Sequence, residues 1–146
     1  MREWLSAKSQ NRQKSVAIAA LGATLMLLTA CQSFEAPGGS LTAEVDAPGP
    51  VQALQRVNER GLACWIRSGD RAFRGYALVP ELDTRSGDPR ILVVRQGNAQ
   101  GLPELVISAS GDPVRIVTFG PLTGDRLSAR INADVLAWSA GRQGCA

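Results

Sequence analysis

The sequence predicts an α+β domain of two layers, in which an N-terminal helix, an antiparallel sheet of four to five strands and a C-terminal helix follow one another. Three patterns within residues 50–146 support this prediction. Helix-end signals bound a segment near the start, an apolar stripe with helical spacing occurs near the end, and strand-like segments that alternate between apolar and polar residues lie between them. Gly-Asp pairs, which suit tight turns, interrupt these segments and indicate hairpins.

The N-terminal helix is predicted to begin at Pro50 and to include "VQALQRVNER", residues 51–60. Proline is tolerated in the first helical turn, because the N–H that it lacks has no partner there. Glycine is typical of the position just after the last turn. Pro50 and Gly61 therefore mark the two ends of this helix.

A first hairpin is predicted for "LACWIRSGDRAFRGYALV", residues 62–79, with Gly69-Asp70 as a two-residue turn. Strand alternation then places Cys64 and Phe73 on an apolar face. The opposite face would carry a candidate binding surface of Trp65, Arg67, Arg74 and Tyr76.

A second hairpin is predicted for "LPELVISASGDPVRIVTF", residues 102–119, turning at Gly111-Asp112. Its core face would consist of Leu105, Ile107, Val114 and Ile116. Another Gly-Asp turn, at residues 86–89, precedes the strand-like "RILVV" of residues 90–94. These elements account for the predicted four to five strands.

The C-terminal helix is predicted to run from Thr123, as the N-cap, to about Ala140. Gly141 follows it in the position that favours glycine. An apolar stripe of Leu127, Ile131, Val135 and Trp138 would pack this helix on the sheet.

The first 30 residues have the pattern of a cleaved secretory leader: a basic start and then 13 uncharged residues, 16–28. The run Leu28-Thr29-Ala30-Cys31 that follows resembles the lipobox of bacterial lipoprotein precursors. The resemblance implies cleavage before Cys31 and acylation of that residue, with chains such as palmitate. Two or more acyl chains hold a protein on a bilayer, whereas residues 16–30 are shorter than the roughly 20 that a spanning helix needs.

The residue after the cysteine, Gln32, bears on the membrane. In Gram-negative bacteria, Asp at this position retains a lipoprotein in the inner membrane. For a Gram-negative host, the resemblance therefore implies an outer-membrane lipoprotein that faces the periplasm.

Removal of the leader changes the charge balance. Residues 1–30 hold four of the 16 basic and one of the 13 acidic residues, so the remaining chain has 12 of each. A nucleic-acid partner is not expected, since it requires a basic footprint. Residues 31–49, "CQSFEAPGGSLTAEVDAPG", are acidic and rich in small residues, proline and glycine, and we predict a flexible tether there.

Cysteine usage predicts a disulfide. With Cys31 lipidated, Cys64 and Cys145 remain as an even pair in an oxidising compartment. The alternative is a pair of free thiols.

Catalysis is not expected. The chain contains no histidine, which is the commonest general base and metal ligand, and beyond residue 14 it contains no lysine for amine-based catalysis. Paired carboxylates could act together, but the candidates, Glu81 with Asp83 and Asp70 with Asp88, lie in predicted turns or loops. We predict no cofactor and no metal.

Two functional hypotheses follow. The first is a lipid-anchored structural or protein-interaction module of the cell envelope, which would bind an envelope protein through Trp65, Arg67, Arg74 and Tyr76. Alternatively, a cation–π pair of Trp65 with Arg74 merely covers a solvated sheet face. The second hypothesis is a periplasmic carrier of a lipid or another apolar ligand. Its cavity would be lined by Leu62, Ile66, Ile107, Ile116 and Trp138.

Overall fold

A computed structural model describes residues 38–145. The predicted leader and the predicted lipidation residue Cys31 lie outside the described residues. The helices and strands are β1 (Leu41–Val45), α1 (Pro50–Gly61), β2 (Tyr76–Glu81), β3 (Arg90–Arg95), β4 (Leu105–Ser110), β5 (Val114–Phe119) and α2 (Ser128–Ser139). A π turn (Leu62–Ile66) continues α1, and short 3-10 turns occupy Arg71–Phe73 and Pro121–Gly124.

The five strands form one antiparallel sheet in the order β1-β5-β4-β3-β2. Alternate residues of each strand point to one face, which we call the helix face, and pack there with buried side chains of α1 and α2 in one core. The other face is called the outer face. This arrangement confirms the predicted α+β fold with a helix before and a helix after the main strands.

The edge strand β1 comes from the segment that was predicted to be a flexible tether. Its pattern "LTAEV" alternates, so Leu41 is buried while Thr42 and Glu44 face outward. The strand pairs with β5 from Leu41 opposite Thr118 to Val45 opposite Val114. The tether prediction is therefore wrong for residues 41–45, because burial of the inward side chains and pairing with β5 outweigh the polar composition.

The prediction of the first hairpin is wrong for its first half, the segment before Gly69-Asp70, which is not a strand. After α1 the backbone stays helical, and the N–H of Arg67 donates to the carbonyl of Leu62 at 2.9 Å, the spacing of a π turn. Gly61 is not the predicted C-terminal cap, since its φ of −59° is helical and the π turn follows it directly. A Cβ at Gly61 would approach the Leu78 side chain to 2.8 Å, so glycine lets the helix pack close to β2.

The second predicted hairpin is confirmed as β4 and β5, with Leu105, Ile107, Val114 and Ile116 buried on the helix face. The strand register differs from the one that a two-residue turn would produce. Ser110 lies opposite Arg115, so four residues rather than two separate the last strand pair.

The C-terminal helix starts later than predicted. Thr123 lies in a 3-10 turn, where its hydroxyl donates to the carbonyl of Gly120 at 2.8 Å, and α2 begins at Ser128. The predicted stripe is confirmed for Ile131, Val135 and Trp138, which are buried. The helix ends as predicted before Gly141, whose φ is +93°.

Two consequences of this topology position the functional surface. The predicted disulfide joins Cys64 in the π turn to Cys145, with Cα atoms 5.5 Å apart. Because neighbouring strands are antiparallel, β1, β2 and β4 begin where β3 and β5 end. We call this the entry end, because the chain enters β1 there.

Candidate docking surface

The π turn decides where Trp65 points. In the predicted strand, Cys64 and Trp65 would have faced opposite sides of a sheet. In the π turn both are buried, and Trp65 has only 1% of its surface exposed. The prediction that Trp65 belongs to an open binding surface is wrong, because helical rather than extended backbone turns both side chains toward α2.

Aromatic rings enclose the Trp65 side chain. Its ring stacks on Phe73 at a centroid distance of 4.7 Å and an interplanar angle of 10°. The ring centroid of Trp138 in α2 lies 4.9 Å from that of Trp65, and the angle between the two ring planes is 52°. These are favourable geometries for aromatic pairs. They join the π turn, the following 3-10 turn and α2 into one buried cluster.

A charged network adjoins this cluster. The indole Nε1 of Trp65 donates a 2.8 Å hydrogen bond to Oδ2 of Asp134, a residue that is 2% exposed. Arg130 lies one helical turn earlier in α2, and its Nε is 3.7 Å from the same Asp134 oxygen. Its terminal nitrogen is 2.8 Å from Oδ2 of Asp70, and its guanidinium lies 5.3 Å from the Phe73 ring centroid. Arg130 thus links a buried carboxylate to the surface loop after the π turn.

Asp70 holds that loop in shape. Its Oδ1 accepts a 2.9 Å hydrogen bond from the N–H of Ala72 and so caps the 3-10 turn. The backbone N–H of Ala72 and, next, the hydrogen bond from Arg130 lower the pKa of the Asp70 carboxyl below its ordinary value. The carboxylate therefore remains ionised at neutral pH and keeps the loop attached to α2.

We expect Asp70→Asn to lower the free energy of unfolding by about 1 kcal/mol at neutral pH, because an amide cannot form the ion pair with Arg130. Folding lowers the pKa of Asp70, so its stabilising contribution is complete above the unfolded-state pKa of about 3.9. The contribution is lost as the pH falls through the lower folded-state pKa. Urea unfolding at neutral and acid pH measures this difference between the two proteins.

Asp88→Asn is the matched control, because Asp88 is exposed and its substitution removes the same charge from another loop. A stability difference for Asp70→Asn that is as large in acid as at neutral pH would contradict the assigned role of the carboxylate.

Three exposed arginines lie on and beside this loop. We call Arg67, Arg71 and Arg74 the arginine ledge. Within residues 38–145, no carboxylate forms an ion pair with any of them. An exposed guanidinium group can donate hydrogen bonds to an anionic group.

The predicted binding residues therefore separate in the structure. Arg67 and Arg74 are exposed, whereas Tyr76 is half-buried at the start of β2. The predicted cation–π pair of Trp65 with Arg74 does not form, because the two residues are not on paired strands. Instead, the guanidinium carbon of Arg95 lies 4.7 Å from the Tyr76 ring centroid, and Arg95 Nε pairs with Glu104 at 2.9 Å.

A shallow depression of about 170 Å³ lies next to the ledge. It contains Arg74 and Tyr76, which the sequence predicted, together with residues that it did not predict. The full lining is Ile66, Gly69, Asp70, Phe73, Arg74, Gly75, Tyr76 and Gln96. Its size suits contact with a side chain or a headgroup better than enclosure of a drug-sized ligand, which needs about 300 Å³ or more.

Sequence reasoning missed Asp70, Arg71, Arg130 and Asp134 as parts of this surface and its support. One signal was available: Arg130 and Asp134 are four residues apart on a predicted helix, a spacing that brings side chains together. The contact of Arg130 with Asp70 had no such signal, because 60 positions separate them in the chain.

The residues predicted to line a carrier cavity do not line one together in the described part of the chain. Ile107, Ile116 and Trp138 are fully buried in the core, and only Ile66 borders the depression at the ledge. A second, open depression of about 390 Å³ lies at the opposite end of the sheet. Its lining is Glu44, Val45, Asp46, Ala47, Asp112, Pro113 and Val114.

No cluster of three or more His, Cys, Asp or Glu side chains suited to a metal ion occurs within residues 38–145. None of the helices described there has the length and hydropathy of a membrane span. No protein-family model, curated protein or solved structure matches this chain.

Proposed function

We propose that this chain is a lipoprotein of the outer membrane that faces the periplasm and acts as a non-catalytic structural or interaction module of the cell envelope. The lipobox Leu28-Thr29-Ala30-Cys31 supports the anchor, and Gln32 supports the outer membrane in a Gram-negative host. The disulfide between Cys64 and Cys145 supports an oxidising compartment such as the periplasm.

The observation that carries the interaction role is the arginine ledge. Its three guanidinium groups are exposed, and they belong to a loop that Asp70, Arg130 and the Trp65 cluster hold in place. A loop whose backbone is already held in shape loses less conformational entropy when it binds. The ledge therefore suits an anionic surface in the envelope.

A non-catalytic role agrees with the contacts of two of the candidate carboxylates. Asp70 caps a turn and pairs with Arg130, and Glu81 pairs with Arg90 at 2.6 Å. Each has a structural role in the described domain.

The anchor is tested by mass spectrometry of the N-terminal peptide after expression of the full-length chain in a Gram-negative host. We expect a peptide that begins at Cys31 and carries acyl chains, and we expect its loss in Cys31→Ser. An unmodified Cys31 in the membrane-associated protein would contradict the proposal. Gln32→Asp is the matched sorting variant: it should stay acylated but shift from outer-membrane to inner-membrane fractions on a density gradient.

A further inference from the structure

The entry end gathers features that come from distant parts of the chain. Gly38 and Gly39 precede β1, and Leu41 pairs with Thr118. The next residue of β5, Phe119, lies opposite Val106 near the start of β4. The loop from residue 96 to residue 104 joins β3 to β4 at this same end.

The large apolar side chains that are exposed within residues 38–145 both lie at the entry end. Leu102, in the β3–β4 loop, is 93% exposed, and Phe119 is 49% exposed. Isolated exposed apolar residues are common. Phe119, however, ends an apolar row that crosses four strands on the outer face: Val79, Leu92, Val106 and Phe119.

The arginine ledge lies at the entry end as well. Only Gly75 separates Arg74 from β2, and the N–H of Gln96, just after β3, donates to the carbonyl of Gly75 at 2.7 Å. Among residues 38–145, the acidic side chains at this end are Asp70, Glu104 and Asp125, of which the first two are paired with Arg130 and Arg95. Unpaired positive charge therefore accompanies the exposed apolar side chains.

Chain length ties this end to the predicted anchor. Cys31 precedes Gly38 by seven residues, and seven extended residues span at most about 25 Å. An acylated Cys31 would therefore keep the entry end within about 25 Å of the bilayer.

From this juxtaposition, we infer that the entry end lies on the anionic phospholipid surface of the membrane that carries the anchor. Leu102 and Phe119 enter the interfacial region, and the ledge faces phosphate headgroups. Amphipathic surfaces bind bilayers in this way, through apolar burial together with attraction of basic side chains to anionic lipid. The inference rests on the proposed function, since it requires acylated Cys31, and it identifies the anionic partner of the ledge.

Tryptophan quenching by brominated lipid tests this orientation. Trp65 and Trp138 are buried, and Trp4 belongs to the predicted leader, so a tryptophan introduced at the surface of the mature chain can be observed over a shielded background. The acylated chain carrying Phe119→Trp or Leu102→Trp is reconstituted into vesicles of phosphatidylethanolamine and phosphatidylglycerol with brominated acyl chains. Arg85→Trp, in the exposed β2–β3 loop at the opposite end, is the matched control.

We expect the fluorescence of Phe119→Trp and Leu102→Trp to fall by about half in brominated vesicles, while Arg85→Trp is unchanged, because interfacial side chains reach the acyl boundary. Incorporated protein without quenching at either position would overturn the inference and leave the anchored module of the proposed function intact. Chain that is not acylated and does not incorporate would overturn both.

A triple variant tests how much the positive charge of the ledge contributes to membrane contact. In the Phe119→Trp background, replacing the ledge by Arg67→Gln, Arg71→Gln and Arg74→Gln should reduce quenching toward that in vesicles without phosphatidylglycerol. The control removes the same charge from exposed positions away from the entry end, Arg85, Arg115 and Arg142. Equal quenching in the two triple variants would overturn the assignment of the ledge to headgroups.

Discussion

Trp65→Ala is expected to lower the free energy of unfolding by about 3–5 kcal/mol, the usual loss for a fully buried large aromatic residue. The substitution removes the stacking on Phe73 and the contact with Trp138, and it opens a cavity between the π turn and α2. Small domains are stable by only about 5–15 kcal/mol. A large share of the folded population should therefore be lost at moderate urea concentrations.

Trp65→Phe separates the two contributions of this side chain. Phenylalanine keeps most of the ring contacts but cannot donate the 2.8 Å hydrogen bond to Asp134. A hydrogen bond to a charged group contributes about 1.5–3 kcal/mol, so Trp65→Phe should be intermediate. Urea denaturation of the acyl-free Cys31→Ser chain, followed by circular dichroism, measures all three proteins. An unfolding midpoint for Trp65→Ala equal to that of the parent would show that Trp65 is not a core residue.

Removal of the disulfide by the double substitution Cys64→Ala and Cys145→Ala has the second large expected effect. The bridge spans 81 positions. The chain-entropy treatment of so long a loop gives about 4–5 kcal/mol of stabilisation. The double substitution leaves no lone thiol to form intermolecular bridges.

The reference measurement is the parent chain with and without a reducing agent. Reduction should lower its unfolding midpoint to near that of the double variant, while the double variant should not respond to the reducing agent. A parent chain with the same midpoint in both conditions would contradict a stabilising bridge.

Most of the fold prediction was based on helical and strand periodicity. The stripe Ile131, Val135 and Trp138 is a local pattern, and tertiary packing follows it because one face of α2 must be buried. The β4–β5 hairpin follows from alternation around Gly111-Asp112 for the same reason. Its loop length was missed because Pro113 and Val114 fit either register locally.

The segment of residues 62–67 shows where local pattern is insufficient. Five residues, "LACWI", can present an apolar side as a strand or as a helix. Continuity with α1 and burial against α2 favour the helix, and these contacts involve residues about 70 positions away. Arg67 and Arg74 were correctly placed at the surface, whereas Trp65 was not, because its orientation depended on this choice.

By itself, the sequence determined the two helices, the central hairpin and the pairing of Cys64 with Cys145, since each rests on local periodicity or on an even count of cysteines. It also predicts the anchor at Cys31. Tertiary structure alone decided that residues 41–45 complete the sheet, that Trp65 is buried, and that the ledge, Leu102 and Phe119 share one end of the domain. The physical reason is that these features arise from strand pairing and burial between distant segments, whose free energies do not appear in any local pattern.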